Sequence, residues 1–141
     1  MDLRDVVFGW RTGQPLLEIE RLEVAPGERV FISGPSGSGK STLLGLIGGV
    51  LTPTGGTVRV LGESLGELGA ARRDALRVDR IGFIFQMFNL LPYLSVRDNV
   101  ALPCRFSARR RARATVEATD IRTEAERLLG HLGLDDPALL D

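Results

Sequence analysis

Eight consecutive residues, from Gly34 to Ser41, have the types and the spacing that phosphate binding requires. They read Gly-Pro-Ser-Gly-Ser-Gly-Lys-Ser, in which two glycines are separated by four residues and followed by a lysine and a hydroxyl residue. Glycines let successive backbone amides turn toward one anion, and a helix that begins here directs the positive end of its dipole to the same point. Lys40 would supply a positive charge for the outer phosphates, and Ser41 a hydroxyl for Mg²⁺. The alternative is a glycine-rich turn between a strand and a helix with an exposed lysine.

The lysine of this motif stands out in the composition of the chain. Of the 18 basic residues, Lys40 is the only lysine and the others are arginines. The two residue types are exchangeable on a solvated surface, but a compact ammonium fits among phosphates where a planar guanidinium does not. A preference for arginine codons explains the arginines, but it does not explain where the lysine lies.

The residues around the motif must form the elements that position it. Residues 29–33 are a compact apolar run, which predicts a buried strand that leads into Gly34, and residues 39–51 have helical spacing. Other predicted strands are residues 3–8, 16–24, 57–61 and 81–85, and other predicted helices are residues 63–80, 96–102 (capped by Ser95) and 108–132, the last one long or broken. The predicted buried faces are formed by Leu43, Leu46, Ile47 and Val50 and by Leu128, Leu129 and Leu132.

Length, composition and charge narrow the class of protein. A chain of 141 residues with 43% apolar and 26% charged residues fits one soluble globular domain. A formal net charge of zero means that the chain lacks the excess of positive charge that is typical of nucleic-acid-binding proteins. The single cysteine, Cys104, excludes an internal disulfide and fits a reducing compartment. We therefore expect a cytosolic protein.

Four further features have both a functional and a structural interpretation. Gln86 follows a predicted strand, where its amide could face a nucleotide or metal or could simply be solvated. Trp10 is either a flat ring exposed on one side or a core residue. His131 has no second ligand or base beside it, so we interpret it as a helix-end residue. The arginine-rich residues 109–113 could bind phosphate or a partner, but the acidic residues that follow favour a solvated helix face.

Three segments resemble the ATP-binding subunits of ABC transporters. Residues 30–51 contain Gly-Pro-Ser-Gly-Ser-Gly-Lys-Ser-Thr, which is the usual sequence of that family's phosphate-binding loop. Residues 81–92 are similar to its Q-loop segment, and residues 94–103 are similar to the subfamily that serves lipoprotein-release and macrolide-export permeases. The resemblance extends to about Asp136.

This resemblance implies a fold and a site. The fold is α/β, with a P-loop core built on a parallel sheet, an antiparallel β portion (together residues 1–87) and the start of a helical subdomain (residues 88–141, from about Phe88). ATP and Mg²⁺ are the implied cofactors; Lys40 and Gln86 are the implied catalytic residues, and Ser41 and Gln86 would hold the metal. The implied nucleotide-binding residues are Trp10 (against adenine), Gly34, Pro35, Ser36, Gly37, Ser38, Gly39, Lys40, Ser41 and Thr42.

The resemblance also implies partners and a location. A transmembrane permease would contact the region of Tyr93 and Leu94, for which ordinary helix packing is the alternative interpretation. A second ATP-binding subunit would form a dimer. No nucleic acid is implied. The protein would lie on the cytoplasmic face of the membrane, held there by its permease.

Several parts with which the family hydrolyses ATP are missing from the sequence. It contains no Leu-Ser-Gly-Gly-Gln signature, no buried strand that ends in Asp-Glu and no switch histidine; residues 138–141 are too short an apolar run to replace that strand. We therefore expect the N-terminal part of an ABC ATP-binding domain, inactive alone, in which residues 29–33 and 81–85 lack the strand that separates them in the family. The alternatives are a non-hydrolytic nucleotide-binding module and a small P-loop kinase.

Overall fold

The computed structural model describes residues 1–87, 89–116, 118–134 and 136. The chain divides into two compact units, Met1–Arg77 and Val78–Asp141. The sequence predictions for Phe88 and for residues 138–141 lie outside the described residues. The strands are β1 (Asp2–Phe8), β2 (Leu17–Glu23), β3 (Gly55–Val60) and β4 (Glu63–Ser64), and the helices are α1 (Lys40–Ile47), α2 (Ala70–Arg80), α3 (Val96–Ala101), α4 (Pro103–Phe106), α5 (Ala108–Ala114) and α6 (Ile121–His131).

The first unit is built on an antiparallel sheet with the strand order β2-β1-β3-β4. The central strand β1 pairs with β2, where Leu3 faces Leu22, and on its other side with β3, where Leu3 faces Val58. The predicted antiparallel portion near the N-terminus is therefore confirmed, as is the mixed α/β class. The segment predicted as a helical connector from residue 63 instead begins with β4, and the helix α2 begins only at Ala70.

A bulge in β1 explains why its apolar residues do not alternate regularly. The pairing of β1 with β3 shifts register between Arg4 and Val7, and Asp5 within this interval has a positive φ of 49°. Leu3 and Val6 are both fully buried although they lie three positions apart, a spacing that would put them on opposite faces of a regular strand. The extra residue of the bulge brings both side chains to the core.

The core of the first unit lies between the sheet and α1. Its buried apolar side chains are Leu3, Val6 and Phe8 from β1, Leu43 and Leu46 from α1, Val58 and Val60 from β3, and Leu65. The helix ends earlier than predicted because Gly48 and Gly49 follow Ile47, and Gly49 has a φ of +68°. Val50, predicted on the buried face, is consequently 62% exposed.

Two predicted strands are wrong. Residues 29–33 and 81–85 are not strands, and every strand pair in the described part of the chain is antiparallel. A strand persists only where a neighbour completes its ladder of hydrogen bonds, and the described residues place no such neighbour beside either segment. Phe31 is 91% exposed and Ile84 is fully exposed. The parallel part of the predicted sheet is thus not formed among these residues.

The second unit consists of short helices whose beginnings are set by capping side chains. Ser95 Oγ accepts a hydrogen bond of 3.1 Å from the amide of Asp98, which confirms the predicted cap of α3. The predicted long helix is broken into α5, capped by Ser107, and α6, capped by Asp120. The ion pair between Arg97 and Glu126, with N–O distance 2.7 Å, joins α3 to α6.

The buried face of α6 differs from the predicted one. Leu129 is 3% exposed, but Leu128 and Leu132 are 42% and 74% exposed, so two of the three predicted core residues face solvent. Ala125, one turn before Leu129, is buried in their place because positions four apart share a face of a helix. His131 is the last residue of α6, as predicted. Within the described ranges, no helix combines the length and the apolar character needed to cross a bilayer.

Candidate nucleotide-binding site

The glycine-rich motif forms a tight loop that leads directly into α1. Gly37 and Gly39 have φ angles of +80° and +87°, in the left-handed region that glycine adopts without strain. Residues 35–38, just before Gly39, make a turn in which the amide of Ser38 donates to the carbonyl of Pro35 at 3.3 Å. The left-handed residues let the loop reverse its direction immediately before the helix.

Two of the glycines also lie very close to other side chains. A Cβ on Gly39 would lie 2.6 Å from Cδ2 of Leu17, so the start of α1 packs closely against the first residue of β2. A Cβ on Gly34 would lie 2.9 Å from Oγ of Ser38 on the other side of the loop. The pattern of glycines in the sequence therefore reflects close packing as well as backbone conformation.

The side chain of Lys40 folds back over this loop. Its ammonium donates to the carbonyl oxygen of Gly34 at 2.8 Å and to that of Pro35 at 2.7 Å, and lies 3.3 Å from Oγ of Ser38. These contacts place a positive charge against the loop, next to the N-terminus of α1. An ammonium with several rotatable donors can exchange such carbonyls for phosphate oxygens.

The first turn of α1 has the features of an anion site. It has no side-chain cap and no acidic residue, so its backbone amides and its dipole are not neutralised from within the helix. Ser41 is exposed at this end and Thr42 is 9% exposed. This end of the helix therefore has the charge character that suits an anion, and the hydroxyl of Ser41 is exposed beside it.

Trp10 lies at the rim of a shallow cleft in the same unit. It is 68% exposed, which rules out the core interpretation of this tryptophan. The cleft has a volume of about 310 Å³, and its walls include Trp10, Arg11, Gln14 and Thr54. The amide of Gln14 donates to the carbonyl of Arg11 at 3.2 Å, which closes the turn that carries the ring. A flat aromatic surface is thus available to a ligand.

The remaining predicted site residues belong to the second unit. Gln86 is exposed, Tyr93 is 78% exposed and Leu94 is half-buried. The structure therefore brings the residues of the glycine-rich loop together within the first unit, while Gln86 lies in a separate segment. The exposure of Tyr93 argues against its being an ordinary residue of helix packing.

Sequence reasoning missed two polar side chains that bind the segment around Gln86. Asn99 makes four hydrogen bonds with backbone groups of residues 91–95. Arg110 donates to two backbone carbonyls outside its own helix, so the predicted solvated face is wrong at this position. No local pattern marks either residue, because their partners are set by tertiary packing.

The loop, its lysine and the uncapped helix together define a P-loop nucleotide-binding protein. The family model described as "ABC transporter" matches residues 17–139. The chain belongs to the ABC transporter family. The predicted family is therefore confirmed, including its lipoprotein-release and macrolide-export type, by the relatives described next.

Two curated relatives illustrate the similarity. The lipoprotein-releasing system ATP-binding protein LolD of Chromohalobacter salexigens is 42% identical over 106 residues, which are 75% of this chain and 45% of that protein. The macrolide export ATP-binding/permease protein MacB of Marinobacter nauticus is 38% identical over 139 residues, which are 96% of this chain and 20% of that protein. The chain thus spans less than half of the length of either relative.

Two solved structures of the ATP-binding cassette MJ0796 have the same fold. The structure described as a dimeric bacterial ABC transporter cassette has a TM-score of 0.80 at 34% identity, covering 99% of this chain and 60% of that one. The structure described as a dimeric post-hydrolysis state bound to ADP and phosphate has a TM-score of 0.78 at 34% identity, covering 99% and 62%. The fold is therefore that of an ABC ATPase cassette.

Proposed function

We propose that this chain binds Mg-ATP at residues 34–42 and supplies the ATP-binding part of an ABC transporter that couples ATP hydrolysis to a membrane permease. The observation that supports this proposal best is the position of Lys40. Its ammonium lies over the loop, within 2.7–2.8 Å of two loop carbonyls, at a helix end that has neither a cap nor an acidic residue. Such a site is suited to an anion with several charged oxygens.

Each site residue has a proposed role in that complex. The backbone amides of residues 34–42, apart from Pro35, which has no N–H, would donate to the phosphates. Lys40 would balance the charge of the β- and γ-phosphates, and Ser41 with Gln86 would hold Mg²⁺. The metal supplies positive charge that stabilises the leaving phosphates. Trp10 stacks on the adenine ring, for which its exposed ring over the cleft is suited. Catalysis by the whole protein depends on Lys40 and Gln86.

The proposed partners are a transmembrane permease and a second ATP-binding subunit, at the cytoplasmic face of a membrane. The relative LolD is the ATP-binding protein of a lipoprotein-releasing system, the relative MacB is a macrolide export ATP-binding/permease protein, and both MJ0796 structures are dimeric. The exposed ring of Tyr93 and the adjacent Leu94 are the proposed contact region for the permease.

A non-hydrolytic nucleotide-binding module is the second candidate. It would bind ATP at the same loop without turnover. The sequence favours it in that it contains no buried strand that ends in Asp-Glu, the element with which the family positions the attacking water. Phosphate release by the whole protein, measured beside ATP binding, distinguishes the two candidates, because the 141-residue chain is expected to be inactive alone in either case.

Calorimetric titration with Mg-ATP tests the proposed site. Lys40→Ala should strongly weaken binding, and Lys40→Arg should not restore it, because a planar guanidinium does not fit a site shaped for an ammonium. Arg109→Ala removes an exposed positive charge elsewhere in the chain and serves as the matched control. Equal ATP affinities for the parent chain and for Lys40→Ala would refute the assignment of this loop.

A further inference from the structure

The segment that carries Gln86 has little structure of its own. Residues 81–90 form neither strand nor helix among the described positions, and the neighbouring Met87 is 72% exposed. A side chain that must meet a ligand repeatedly at one place needs a supported backbone, because an unsupported loop samples many conformations. The support for this segment therefore has to come from its two ends.

The first end is held by Arg110 of α5. Its Nε donates to the carbonyl oxygen of Val78 at 2.5 Å, and its guanidinium also donates to that of Ile81 at 2.8 Å. Both carbonyls lie outside α5, so these bonds do not cap α5. They fix the path of the chain that enters the segment. A guanidinium with a rigid fork of donors can hold two carbonyls at once.

A buried pair of side chains fixes the helix turn from which Arg110 projects. The hydroxyl of Ser107 donates to Oδ1 of Asp79 at 2.5 Å and accepts from the amide of Arg110 at 3.0 Å. Ser107 is only 1% exposed. The start of α5 is therefore tied to the end of α2 by one hydroxyl, and the guanidinium is held close to the two carbonyls.

The second end is held by Asn99 of α3. Its Oδ1 accepts from the amide of Leu91 at 2.8 Å, and its Nδ2 lies 3.0 Å from the carbonyl oxygen of Leu91, 3.1 Å from that of Leu94 and 3.0 Å from that of Ser95. One amide side chain thus takes part in four contacts with the backbone of a single turn. The chain that leaves the segment is fixed by these contacts.

We infer that Arg110 and Asn99 are positioning residues for Gln86: they fasten residues 81 and 91, between which the described part of the backbone has no regular structure. The inference rests on the proposed role of Gln86 at the nucleotide. It assigns to two helices, α5 and α3, the control of where the glutamine lies. Neither side chain needs to touch the nucleotide for this control.

A spin label next to Gln86 tests the inference. Met87→Cys, in a chain with Cys104→Ser, accepts one nitroxide label at an exposed position, and Val116→Cys, also exposed, provides a second label site in the same unit. Electron paramagnetic resonance is recorded without nucleotide. In Arg110→Ala we expect the ratio of mobile to immobile label at position 87 to rise about ten-fold or more, since two hydrogen bonds from a charged donor are lost.

The control variants separate local positioning from general loss of structure. Arg109→Ala should leave the spectrum at position 87 unchanged, and Arg110→Lys should recover part of the immobile signal, because an ammonium can reach one carbonyl. Asn99→Asp keeps the acceptor for the Leu91 amide but loses the donations, so it should also increase the mobility at position 87. The label at position 116 should change little in all of these variants, and each variant should keep a cooperative melting transition.

Two results would overturn the inference. One is the same spectrum at position 87 in Arg110→Ala and Arg109→Ala. The other is an equal rise in mobility at positions 87 and 116 together with a lost melting transition, which would assign Arg110 a purely structural role. A failed ATP titration of the parent chain would refute the proposed function instead, and it is measured separately on the unlabelled protein.

Discussion

The rings of Trp10 and Phe8 pack perpendicular to each other, with their centroids 5.1 Å apart and an angle of 86° between their planes. Phe8 is a core residue at 6% exposure, whereas Trp10 is 68% exposed. The buried ring thus supports the exposed one, and a large aromatic surface stays accessible without loss of its orientation. A ring held in this way loses little conformational entropy when a flat ligand stacks on it.

Replacement of Trp10 should therefore weaken nucleotide binding in a graded manner. Stacking of a base on an aromatic side chain contributes roughly 1–3 kcal/mol, so Trp10→Ala should reduce the affinity for ATP by about one to two decades. Trp10→Tyr keeps an aromatic ring and should bind almost as the parent chain does. Calorimetry measures both affinities, and the fluorescence of this single tryptophan should change when ATP is added to the parent. An unchanged emission spectrum at saturating ATP would exclude the stacking role.

The bulge of β1 leads to a second prediction, which concerns the contribution of Gly56 to the free energy of unfolding. Gly56 has a φ of +78°, and a Cβ at this position would lie 2.2 Å from the backbone carbonyl oxygen of Asp5. Gly56→Ala adds both a left-handed non-glycine residue and a clash with backbone, so the free energy of unfolding should fall by roughly 2–5 kcal/mol.

Gly66 provides the matched control for this substitution. It has open space around it and no positive φ, so Gly66→Ala should change the stability by no more than about 0.5 kcal/mol. Urea unfolding followed by circular dichroism gives both values. Similar losses in the two variants would show that the close approach of the two strands at Gly56 is not needed.

The contrast between the loop at residues 34–41 and the segments at 29–33 and 81–85 shows what the sequence can predict. The loop depends on glycines and a lysine at fixed short spacing, so its conformation follows from local chemistry. The two segments have equally clear apolar patterns, but a strand also needs a neighbour, which no local pattern supplies. The bulge at Asp5 was hidden for the same reason, since it exists only in the pairing of β1 with β3.

The polar contacts of the second unit were beyond prediction in a similar way. The Ser95 cap was predicted because its partner lies three residues away, in the amide of Asp98. Arg110 hydrogen bonds to Val78 and Ile81, about 30 positions earlier, and such a pairing is decided by helix packing. A run of arginines indicates charge, but it does not indicate which arginine is held by carbonyls.

The cap of α6 should make part of the stability of the chain depend on pH. The hydrogen bond from the backbone amide of Thr123 is the largest cause that lowers the pKa of Asp120 below its ordinary value of 3.8, and the hydrogen bond from the side chain of Thr123 is the next. A carboxyl whose pKa is lower in the folded state stabilises the protein above its unfolded pKa, and this contribution is lost as the pH falls through the folded pKa. Stability should therefore decrease as the solution is acidified below about pH 4.

Asp120→Asn isolates this contribution. Asparagine keeps an oxygen that can accept from the Thr123 amide but does not titrate in this range. The Glu124 carboxyl, whose pKa is lowered by its hydrogen bond with Arg127, is present in both proteins, so its effect cancels in the comparison. Thermal melts at a series of pH values should show a steeper acid loss for the parent than for the variant. Parallel curves would mean that the cap carries no pH dependence.

Residues 29–33 and 81–85, the two segments that lack a neighbouring strand, expose apolar side chains, and this exposure leads to the last prediction. Phe31 is 91% exposed, so Phe31→Ser removes little packing and should leave the free energy of unfolding nearly unchanged. An apolar segment with open backbone groups favours association between chains, so the same variant should stay monomeric to higher concentration than the parent.

Phe8→Ser is the matched control, because it makes the same chemical change at a phenylalanine that is 6% exposed. Removing this buried ring should cost about 3–5 kcal/mol, and the chain should unfold or aggregate more readily. Urea unfolding and light scattering at increasing concentration measure the two properties. If Phe31→Ser destabilised the chain as much as Phe8→Ser, Phe31 would have to be packed in solution. Residues 29–33 would then have a partner strand, which in a solution of this chain alone could come from a second copy.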